Sequence, residues 1–463
     1  MKFRKHPTAD ALADFFFRCS LFLFPANAAF SVGAFGEIGS EPYLLLNIFT
    51  IFLLLVSGAF VGVWKSSIIG FLFFVTFVVI CFVGFLFNYE YIAISFYKDK
   101  SGVSRFLSGI MIPLWGSLFS VLVFYFSRNG FQKNIVRPLY FGSFLVVFFA
   151  FFEIASWQSD AIRTAYLPFT NVIHALMRRG ESVIGRVQSI TYEASNFGFY
   201  VCLVVPLFIC FSKIKEVSDN VGKIKIITGL LVSFSLFSGR TSFFGVLLAL
   251  GFSLLFVKIA LYPSRYRGIL KILILSIPGA IIFLPLSVMV FNGDYIVSLI
   301  YDSDNLSNVS RYSTIYSQVE IFLDNVFFGV GLNQYGYYYP TYVPAWADNW
   351  ETNAWIYDLE ASFFPSFSLY SRVAAELGLI GLLFVFFVIQ YVYSKSIGFV
   401  FSEFTNIDLR ILSAGVAAGI VALCFVLWTV GTFRIFNFWF LLGLFCYIRF
   451  RVENESSARR AIC

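Results

Sequence analysis

Arginines in and beside two long polar segments are the residues of this chain best suited to bind an anionic ligand. The planar guanidinium group grips phosphate oxygens with two parallel hydrogen bonds and keeps its charge at any physiological pH. A single arginine of this kind more often contacts a lipid headgroup or pairs with a nearby acid, whereas a set that converges from several segments favours an anionic ligand. The set comprises Arg163, Arg178, Arg179, Arg186, Arg240, Arg311, Arg372 and Arg434.

Two carboxylates are candidates for a general base. Glu193 and Glu376 stand where polar segments return to apolar ones. A carboxylate at the edge of an apolar region suits this role, because burial favours its uptake of a proton. The alternative is a salt bridge to a nearby arginine. The sequence leaves both readings open for each residue.

The segment from Tyr335 to Trp355 is rich in aromatic residues that could hold sugars. Tyrosine and tryptophan rings offer an apolar face to the CH groups of a sugar and a polar atom to its hydroxyl groups. The alternative is the aromatic belt found at any membrane interface. Two prolines and Gly336 predict an irregular loop rather than a helix. The aromatic residues are Tyr335, Tyr337, Tyr338, Tyr339, Tyr342, Trp346, Trp350 and Trp355.

The composition indicates that membrane helices position these residues. Hydrophobic residues make up 59% of the 463-residue chain and charged residues only 13%, against about 25% charged in soluble domains. The apolar runs are long enough to cross a ~30 Å hydrocarbon core, and they are continuous rather than alternating, which disfavours a β-barrel. About 12 transmembrane helices are predicted, near 11–33, 43–64, 67–88, 103–127, 138–156, 196–212, 224–238, 241–261, 269–291, 372–394, 411–430 and 435–449.

The distribution of basic residues sets the predicted topology. Most of the 33 Lys and Arg residues fall in segments that share one face if the N-terminus is cytoplasmic, which is the positive-inside pattern. The predicted fold class is therefore an all-α polytopic membrane protein with both termini cytoplasmic. Two extracytoplasmic loops, 157–195 and 292–371, separate transmembrane regions 1–156, 196–291 and 372–463.

The N-terminus allows two interpretations. Its basic residues, followed by Leu21–Phe24 and Ala26-Asn27-Ala28, resemble a signal peptide with its cleavage site. Asp10, Asp14 and Arg18 interrupt the apolar run, so a retained first span is favoured.

Local spacing places two of the arginines. Apolar residues recur at helical spacing between Arg311 and Phe328, which predicts a helix on the membrane surface or packed on the bundle. Only Gly239 and Arg240 separate two predicted spans, so Arg240 is expected at the outer membrane edge, where it can lie beside both loops.

Cysteine and histidine usage argues against a disulfide-stapled module and a zinc site. The seven Cys form no CxxC pair, the long loop contains none of them, and His6 and His174 are the only histidines. No metal, cofactor or nucleic-acid partner is predicted, and the net charge of +7 is attributed to membrane topology.

Four segments, in this order, resemble parts of bacterial O-antigen polymerases of the Wzy type. Arg-Val-Gln-Ser-Ile-Thr-Tyr-Glu-Ala-Ser-Asn-Phe-Gly at 186–198 is similar to their segment before a mid-chain span, and Ser-Gly-Arg-Thr-Ser at 238–242 is similar to their serine/arginine hairpin. Ser-Arg-Tyr at 310–312, a surface helix and Phe-Gly-Val-Gly at 328–331 resemble the start of their large periplasmic loop. Ala-Glu-Leu-Gly-Leu-Ile-Gly at 375–381 resembles the span that closes it.

The resemblance implies a GT-C-like glycosyltransferase of the bacterial inner membrane that uses undecaprenyl-diphosphate-linked oligosaccharide and no nucleotide. This chain departs from the family in two ways. Some members carry an Arg followed eleven residues later by Gly in both exterior loops, but here Arg186 leads to Phe197 and Arg311 to Phe322. The related O-antigen ligases carry a His near the end of the large loop, and 364–368 has none, which favours a polymerase over a ligase.

The resulting hypothesis is a polymerase that transfers a growing glycan from undecaprenyl diphosphate to the next lipid-linked unit on the periplasmic side. Its expected partners are that lipid-linked oligosaccharide, membrane lipid and a polysaccharide chain-length regulator. Glu193 or Glu376 would accept the hydroxyl proton, and arginines would stabilise the leaving diphosphate. The arginines assigned to the diphosphate and its surroundings are Arg178, Arg186, Arg240, Arg311 and Arg372, and the residues assigned to the sugars are Tyr312, Tyr335, Tyr338 and Trp346.

Two alternatives stay open at this point. One is an O-antigen ligase that moves finished glycan onto lipid A core. The other is a flippase or transporter of the same lipid-linked units, which the absence of a visible sequence repeat and the scarcity of charges within the spans disfavour.

Overall fold

The protein is an all-α, multi-pass membrane protein. Its computed structural model describes residues 7–27, 41–59, 68–166, 168, 185–215, 217, 221–266, 268–291, 306–358 and 363–462, and it is about 81% helical. Within those residues, seven helical stretches are long and apolar enough to cross a membrane. They are Ile69–Phe87, Gly102–Gln158, Ala194–Phe211, Arg240–Leu261, Leu270–Val288, Leu369–Val400 and Ile407–Val426.

The first part of the chain supplies six helices and one small hairpin among the described residues. The helices are α1 (Pro7–Phe22), α2 (Pro42–Val56), α3 (Ile68–Phe87), α4 (Tyr89–Ile94), α5 (Gly102–Phe131) and α6 (Arg137–Gln158). Strands β1 (Phe96–Tyr97) and β2 (Lys100–Ser101) pair antiparallel between α4 and α5. A π-helical turn, Gln132–Val136, joins α5 to α6.

The remaining described residues complete the bundle and a polar lobe. The helices are α7 (Ala194–Phe211), α8 (Val221–Ser235), α9 (Arg240–Leu261), α10 (Ile269–Phe291), α11 (Leu306–Asp324), α12 (Tyr335–Tyr342), α13 (Trp350–Tyr357), α14 (Leu369–Val400), α15 (Ile407–Val426) and α16 (Phe436–Ile462). The prediction of about 12 spans stays a prediction, because α1, α2 and α8 have only 16, 15 and 15 residues.

Helix α15 lies at the centre of the bundle because small residues let its neighbours approach closely. It packs against α7, α9 and α14. A Cβ atom on Gly415 would lie 3.0 Å from Cys210 Sγ, and one on Gly245 of α9 would lie 2.6 Å from Val426. Close backbone approach of this kind replaces the hydrophobic driving force that lipid cannot supply.

Two proline-interrupted turns of α10 are repaired by side chains from neighbouring helices. Pro278 and Pro285 lack the N–H groups that would bond the carbonyls four residues earlier. Tyr393 Oη donates to Ile274 O at 2.9 Å, and Trp428 Nε1 donates to Ile281 O at 2.8 Å. Satisfying these carbonyls matters because a bilayer offers no water to do so.

Helices α11, α12 and α13, with the segments that connect them, form what we call the lobe. The prediction of a helix between Arg311 and Phe328 is confirmed by α11, which packs on α14. The prediction of an irregular loop at 335–355 is wrong. The stretch contains α12 and the start of α13, because Tyr335 and Tyr339 are buried in a core of the lobe and Asn349 Oδ1 caps α13 by accepting from two backbone N–H groups.

The lobe is fastened to the bundle through a break in α14. At Gly378, with φ 65° and ψ −164°, the helix is interrupted. Val330 N and Gly331 N donate to Ala375 O and Glu376 O at 2.9 Å each, and Leu379 N donates to Val326 O at 2.7 Å. Segment 326–331 thus takes up backbone groups that the break releases. We call this contact the interlock.

Only glycine fits at two positions of the interlock. Gly329 and Gly378 have φ angles of 62° and 65°. A Cβ atom on Gly329 would lie 2.5 Å from Ala375 O, and one on Gly378 would collide with the backbone of Phe327. Segments 328–331 and 375–381, which both carry the family resemblance, therefore meet here. Gly329 and Gly378 each lie against the backbone of the other segment or its neighbour.

Candidate functional site

Backbone contacts bring Arg186 and Arg240 to the same corner of the bundle. Val187 N donates to Phe237 O at 2.8 Å, three residues before Arg240. Ser242 Oγ donates to Ser195 O at 3.3 Å, and Gly198 leaves no room for a Cβ atom beside Ser242. The segments 186–198 and 238–242 are therefore adjacent, and Glu193 lies between these contacts in sequence.

This corner lies at the end of the bundle that carries the lobe. Leu369 N, at the start of α14, donates to Leu427 O just after α15, at 2.9 Å. Val426, the last residue of α15, in turn faces Gly245 near the start of α9. We call this the lobe end of the bundle.

The charged groups at this corner are accessible. Arg186, Glu193 and Arg240 are exposed. Within the described part of the chain, neither arginine side chain makes a hydrogen bond or an ion pair, and the Glu193 side chain accepts one hydrogen bond, from Ser195 Oγ at 3.0 Å. Glu193 is the N-cap residue of α7, where the helix dipole favours a negative charge.

A buried acid that the sequence did not single out holds this corner in place. Glu153, near the end of α6, is 2% exposed. Its Oε2 accepts from Gln188 N at 3.1 Å and from Ser189 N at 2.7 Å. Ser189 has a φ of 54° and donates through Oγ to Val146 O. Glu153 and Ser189 thus hold the backbone next to Arg186 in place. The sequence signal for this role was an acid within the last turns of an apolar span.

The second candidate acid is engaged in a closed network. Glu376 is fully buried, and its Oε1 accepts from Arg372 Nε at 3.0 Å while its Oε2 accepts from Asn333 N at 2.8 Å. Arg372 also donates through Nη1 to Gly431 O at 2.7 Å and through Nη2 to Asn333 Oδ1. For Glu376 this is the salt bridge to a nearby arginine that the sequence left open as the alternative to a general base. We call it the Arg372–Glu376 latch.

Arg105, which is not in the predicted set of arginines, also lies beside the latch. Its guanidinium carbon lies 3.8 Å from the ring centroid of Phe363, a cation–π contact. Its backbone carbonyl accepts from Asn333 Nδ2 at 3.0 Å. The sequence signal that could have identified Arg105 was its position in the first turn of a predicted span, on the predicted extracytoplasmic side, where arginine is disfavoured.

Arg311 and Tyr312 lie exposed near the start of α11 in the lobe. The Arg311 guanidinium carbon is 5.3 Å from the ring centroid of Phe367. Gln318, two turns further along α11, donates to Ser366 Oγ at 2.9 Å and accepts from Ser371 Oγ at 2.6 Å. These bonds tie α11 to the start of α14, so Arg311 is presented at the lobe end.

The candidate sugar contacts differ in accessibility. Tyr335 is buried, and its hydroxyl donates to Phe364 O at 2.8 Å. Burial raises the pKa of Tyr335 and also that of Tyr338, whose half-buried ring lies 4.4 Å from that of Tyr91. Trp346 is half-buried against Tyr316. Tyr335 is therefore a core residue, whereas Tyr312 is accessible at 39% exposure, as are Trp350 and Tyr357 at 71% and 76%.

Of the other arginines of the set, the structure describes Arg434 and Arg163. Arg434 Nη1 lies 3.6 Å from Glu41 Oε1, and burial raises the Glu41 pKa to about 7 against the opposing effect of Arg434. Arg163 is exposed. Arg178 and Arg179 lie outside the described residues. Among the residues that are described, no group of three or more His, Cys, Asp or Glu side chains could hold a metal ion.

The chain matches no protein-family model and no curated protein.

Proposed function

We propose that this protein is an O-antigen polymerase: a glycosyltransferase of the bacterial inner membrane that elongates a polysaccharide carried on undecaprenyl diphosphate. The observation that carries the proposal is the meeting of segments 186–198 and 238–242, which leaves Arg186 and Arg240 exposed at one corner with Glu193. About 12 spans and a GT-C-like arrangement, with the lobe and this corner on the periplasmic side, belong to the same proposal.

In this proposal the arginines bind the diphosphate of the donor lipid. Arg186 and Arg240 approach it from the bundle and Arg311 approaches it from the lobe. Guanidinium groups bind phosphate oxygens bidentately and stabilise the negative charge that develops on the leaving oxygen as the glycosidic bond breaks.

The proposed reaction is a single displacement. A hydroxyl group of the incoming lipid-linked unit attacks the anomeric carbon at the reducing end of the growing glycan. The new glycosidic bond forms as the bond to undecaprenyl diphosphate breaks, and the diphosphate leaves with the electron pair. Glu193 accepts the hydroxyl proton as general base.

We assign the base to Glu193 rather than Glu376 because of their surroundings. Glu193 is exposed, and its carboxylate has capacity for a further donor. Both oxygens of Glu376 already accept hydrogen bonds from the protein, and the side chain is fully buried. Arg372 and Glu376 would then position the lobe, and Trp350, Tyr338, Trp346 and Tyr312 would contact the sugars.

The test is complementation of a strain that lacks its own polymerase, read as the ladder of polysaccharide lengths on a gel. Arg240→Ala, Arg186→Ala and Glu193→Gln should each remove long chains while the amount of membrane-inserted protein stays normal. Arg163→Ala is the matched control, because it removes an exposed arginine from the first polar loop without touching the corner. Wild-type ladders from the corner variants would exclude the phosphate assignment.

Reconstitution separates this activity from its rivals. Purified protein and lipid-linked units should yield longer glycans without a second protein. Transfer only to lipid A core would indicate a ligase, and movement of intact units across the bilayer without elongation would indicate a flippase.

A further inference from the structure

A cleft opens at the end of the bundle opposite to the lobe. It lies where the π-helical turn Gln132–Val136 leads into α6 and where α8 begins, and its empty space, open to solvent on one side, is about 780 Å³. Helices α6 and α8 pack against each other beside it. Its walls are formed by Gln132, Val136, Arg137, Tyr140, Phe141, Val217, Lys223 and Ile224.

Two cations stand in this cleft. Arg137 and Lys223 are exposed, and within the described residues neither makes an ion pair or a side-chain hydrogen bond. The neighbouring Lys133 differs, because its Nζ lies 2.7 Å from Asp14 Oδ2. Gln132 and Tyr140, two further residues with polar side chains, line the same cleft. An anion placed here would gain two charged donors without breaking any salt bridge among the residues that the structure describes.

The cleft continues into an apolar surface. Val136, Val217 and Ile224 are buried beneath the cations. Phe141 lies one helical turn along α6 from Arg137 and is 55% exposed. Phe144 and Phe148 follow it at helical spacing and are also exposed. Cations at the end of a membrane helix, with an exposed phenylalanine stripe leading away from them, match the layout of a phospholipid: a charged headgroup followed by acyl chains.

We propose that this cleft binds an anionic phospholipid of the inner leaflet, independently of the polymerase site. Arg137 and Lys223 contact the headgroup phosphate, Gln132 and Tyr140 bond its remaining oxygens, and an acyl chain follows Phe141, Phe144 and Phe148. Free inorganic phosphate shares the headgroup chemistry, but it has no apolar part that could contact the phenylalanine stripe. The stripe therefore favours a lipid. Basic pockets between transmembrane helices on the cytoplasmic side are suited to such headgroups.

The test measures lipid binding to the purified protein, reconstituted in phosphatidylcholine nanodiscs and titrated with phosphatidylglycerol or cardiolipin. Each cation near an anionic lipid contributes about 5-fold in affinity, so Lys223→Gln should weaken binding about 5-fold and Arg137→Gln with Lys223→Gln about 30-fold. Lys225→Gln is the matched control, since it removes the same charge two residues along α8 at a position outside the cleft.

Each outcome bears on the proposal. Weaker binding by the Lys223→Gln and double variants, with wild-type binding by Lys225→Gln and an unchanged melting temperature in phosphatidylcholine alone, supports it. Equal loss from Lys223→Gln and Lys225→Gln overturns it, since the effect would then be general surface charge. If millimolar inorganic phosphate displaces bound lipid as effectively as added anionic lipid does, the assignment to a phospholipid would be overturned.

Discussion

The Arg372–Glu376 latch should contribute to stability because it is buried. The Glu376 side chain is 0% exposed and that of Arg372 is 13% exposed. Glu376→Gln keeps the shape of the side chain but leaves the guanidinium of Arg372 without its carboxylate. Removing one partner of a buried ion pair costs about 3–5 kcal/mol. Gly431 O and Asn333 Oδ1 still accept from Arg372, so we expect the lower end of that range.

The chain contains a control pair with the same chemistry and spacing. Arg449 Nε lies 2.7 Å from Glu453 Oε1, also four residues apart, but these side chains are 37% and 60% exposed. An exposed pair contributes at most about 1 kcal/mol. Glu453→Gln should therefore change the free energy of unfolding far less than Glu376→Gln, although the control pair is the closer one.

The assay is reversible unfolding by SDS in mixed micelles, followed by tryptophan fluorescence. The double variant Arg372→Ala, Glu376→Ala should be less destabilised than the sum of its single variants, with a coupling energy of about 0.5–3 kcal/mol. Equal free energies of unfolding for Glu376→Gln, Glu453→Gln and the wild type would refute the latch. Complete loss of elongation by a Glu376→Gln protein of unchanged stability would return the general base to Glu376.

Three further predictions concern the framework around the site. Gly378→Ala should lower the free energy of unfolding by more than about 2 kcal/mol, because this residue has a φ of 65° and faces the Phe327 backbone. Gly398 lies in the same helix with open space around it. Gly398→Ala should therefore be neutral or stabilise by up to about 1 kcal/mol in the same SDS titration. Trp428→Phe should lower the free energy of unfolding by about 1–3 kcal/mol, because it leaves Ile281 O without its donor. Most of that loss should vanish in a Pro285→Ala background, which restores the helical N–H. An equal loss in both backgrounds would contradict the claim that Trp428 replaces the missing N–H of Pro285. Since burial raises the Glu41 pKa from 4.5 to about 7, the folded state binds an extra proton between these values. The contribution of Glu41 to stability is therefore fully present below pH 4.5 and is lost as the pH rises to about 7. The melting temperature of the wild type should fall more steeply across this range than that of Glu41→Gln.

Hydropathy made the bundle helices predictable. The apolar run 269–291 has the same bounds as α10, and the run 241–261 begins one residue after α9. In lipid, backbone hydrogen bonds must be satisfied within the protein, so a long apolar run has few conformations other than helix. The break of α14 at Gly378 was not predictable in this way, because the groups that complete it come from segment 326–331, far away in sequence.

The lobe shows why local rules fail away from the membrane. Gly336 and Pro340 argue for a loop, yet both lie inside α12. The burial of Tyr335 and Tyr339 in the lobe core outweighs their effect, and such tertiary packing has no signature in a short sequence window.

The candidate site was partly predictable for the same physical reason. The short Gly239-Arg240 connection places Arg240 at the edge of the bundle whatever the packing. The engagement of Glu376 by Asn333 and Arg372 depends on the fold of the lobe, and so does the contact of Arg105 with Phe363. The sequence could offer salt bridge and general base as alternatives for Glu376, but it had no means to choose between them.

The interlock also constrains the order of events during synthesis. Ribosomes produce segment 326–331 before α14, so this segment has already been made when the broken helix enters the membrane. Until the two meet, the carbonyls of Ala375 and Glu376 lack the donors that Val330 and Gly331 provide. A nascent chain whose lobe is delayed or shortened would present an unfinished helix to the lipid, which is a signal that membrane quality-control proteases can act upon.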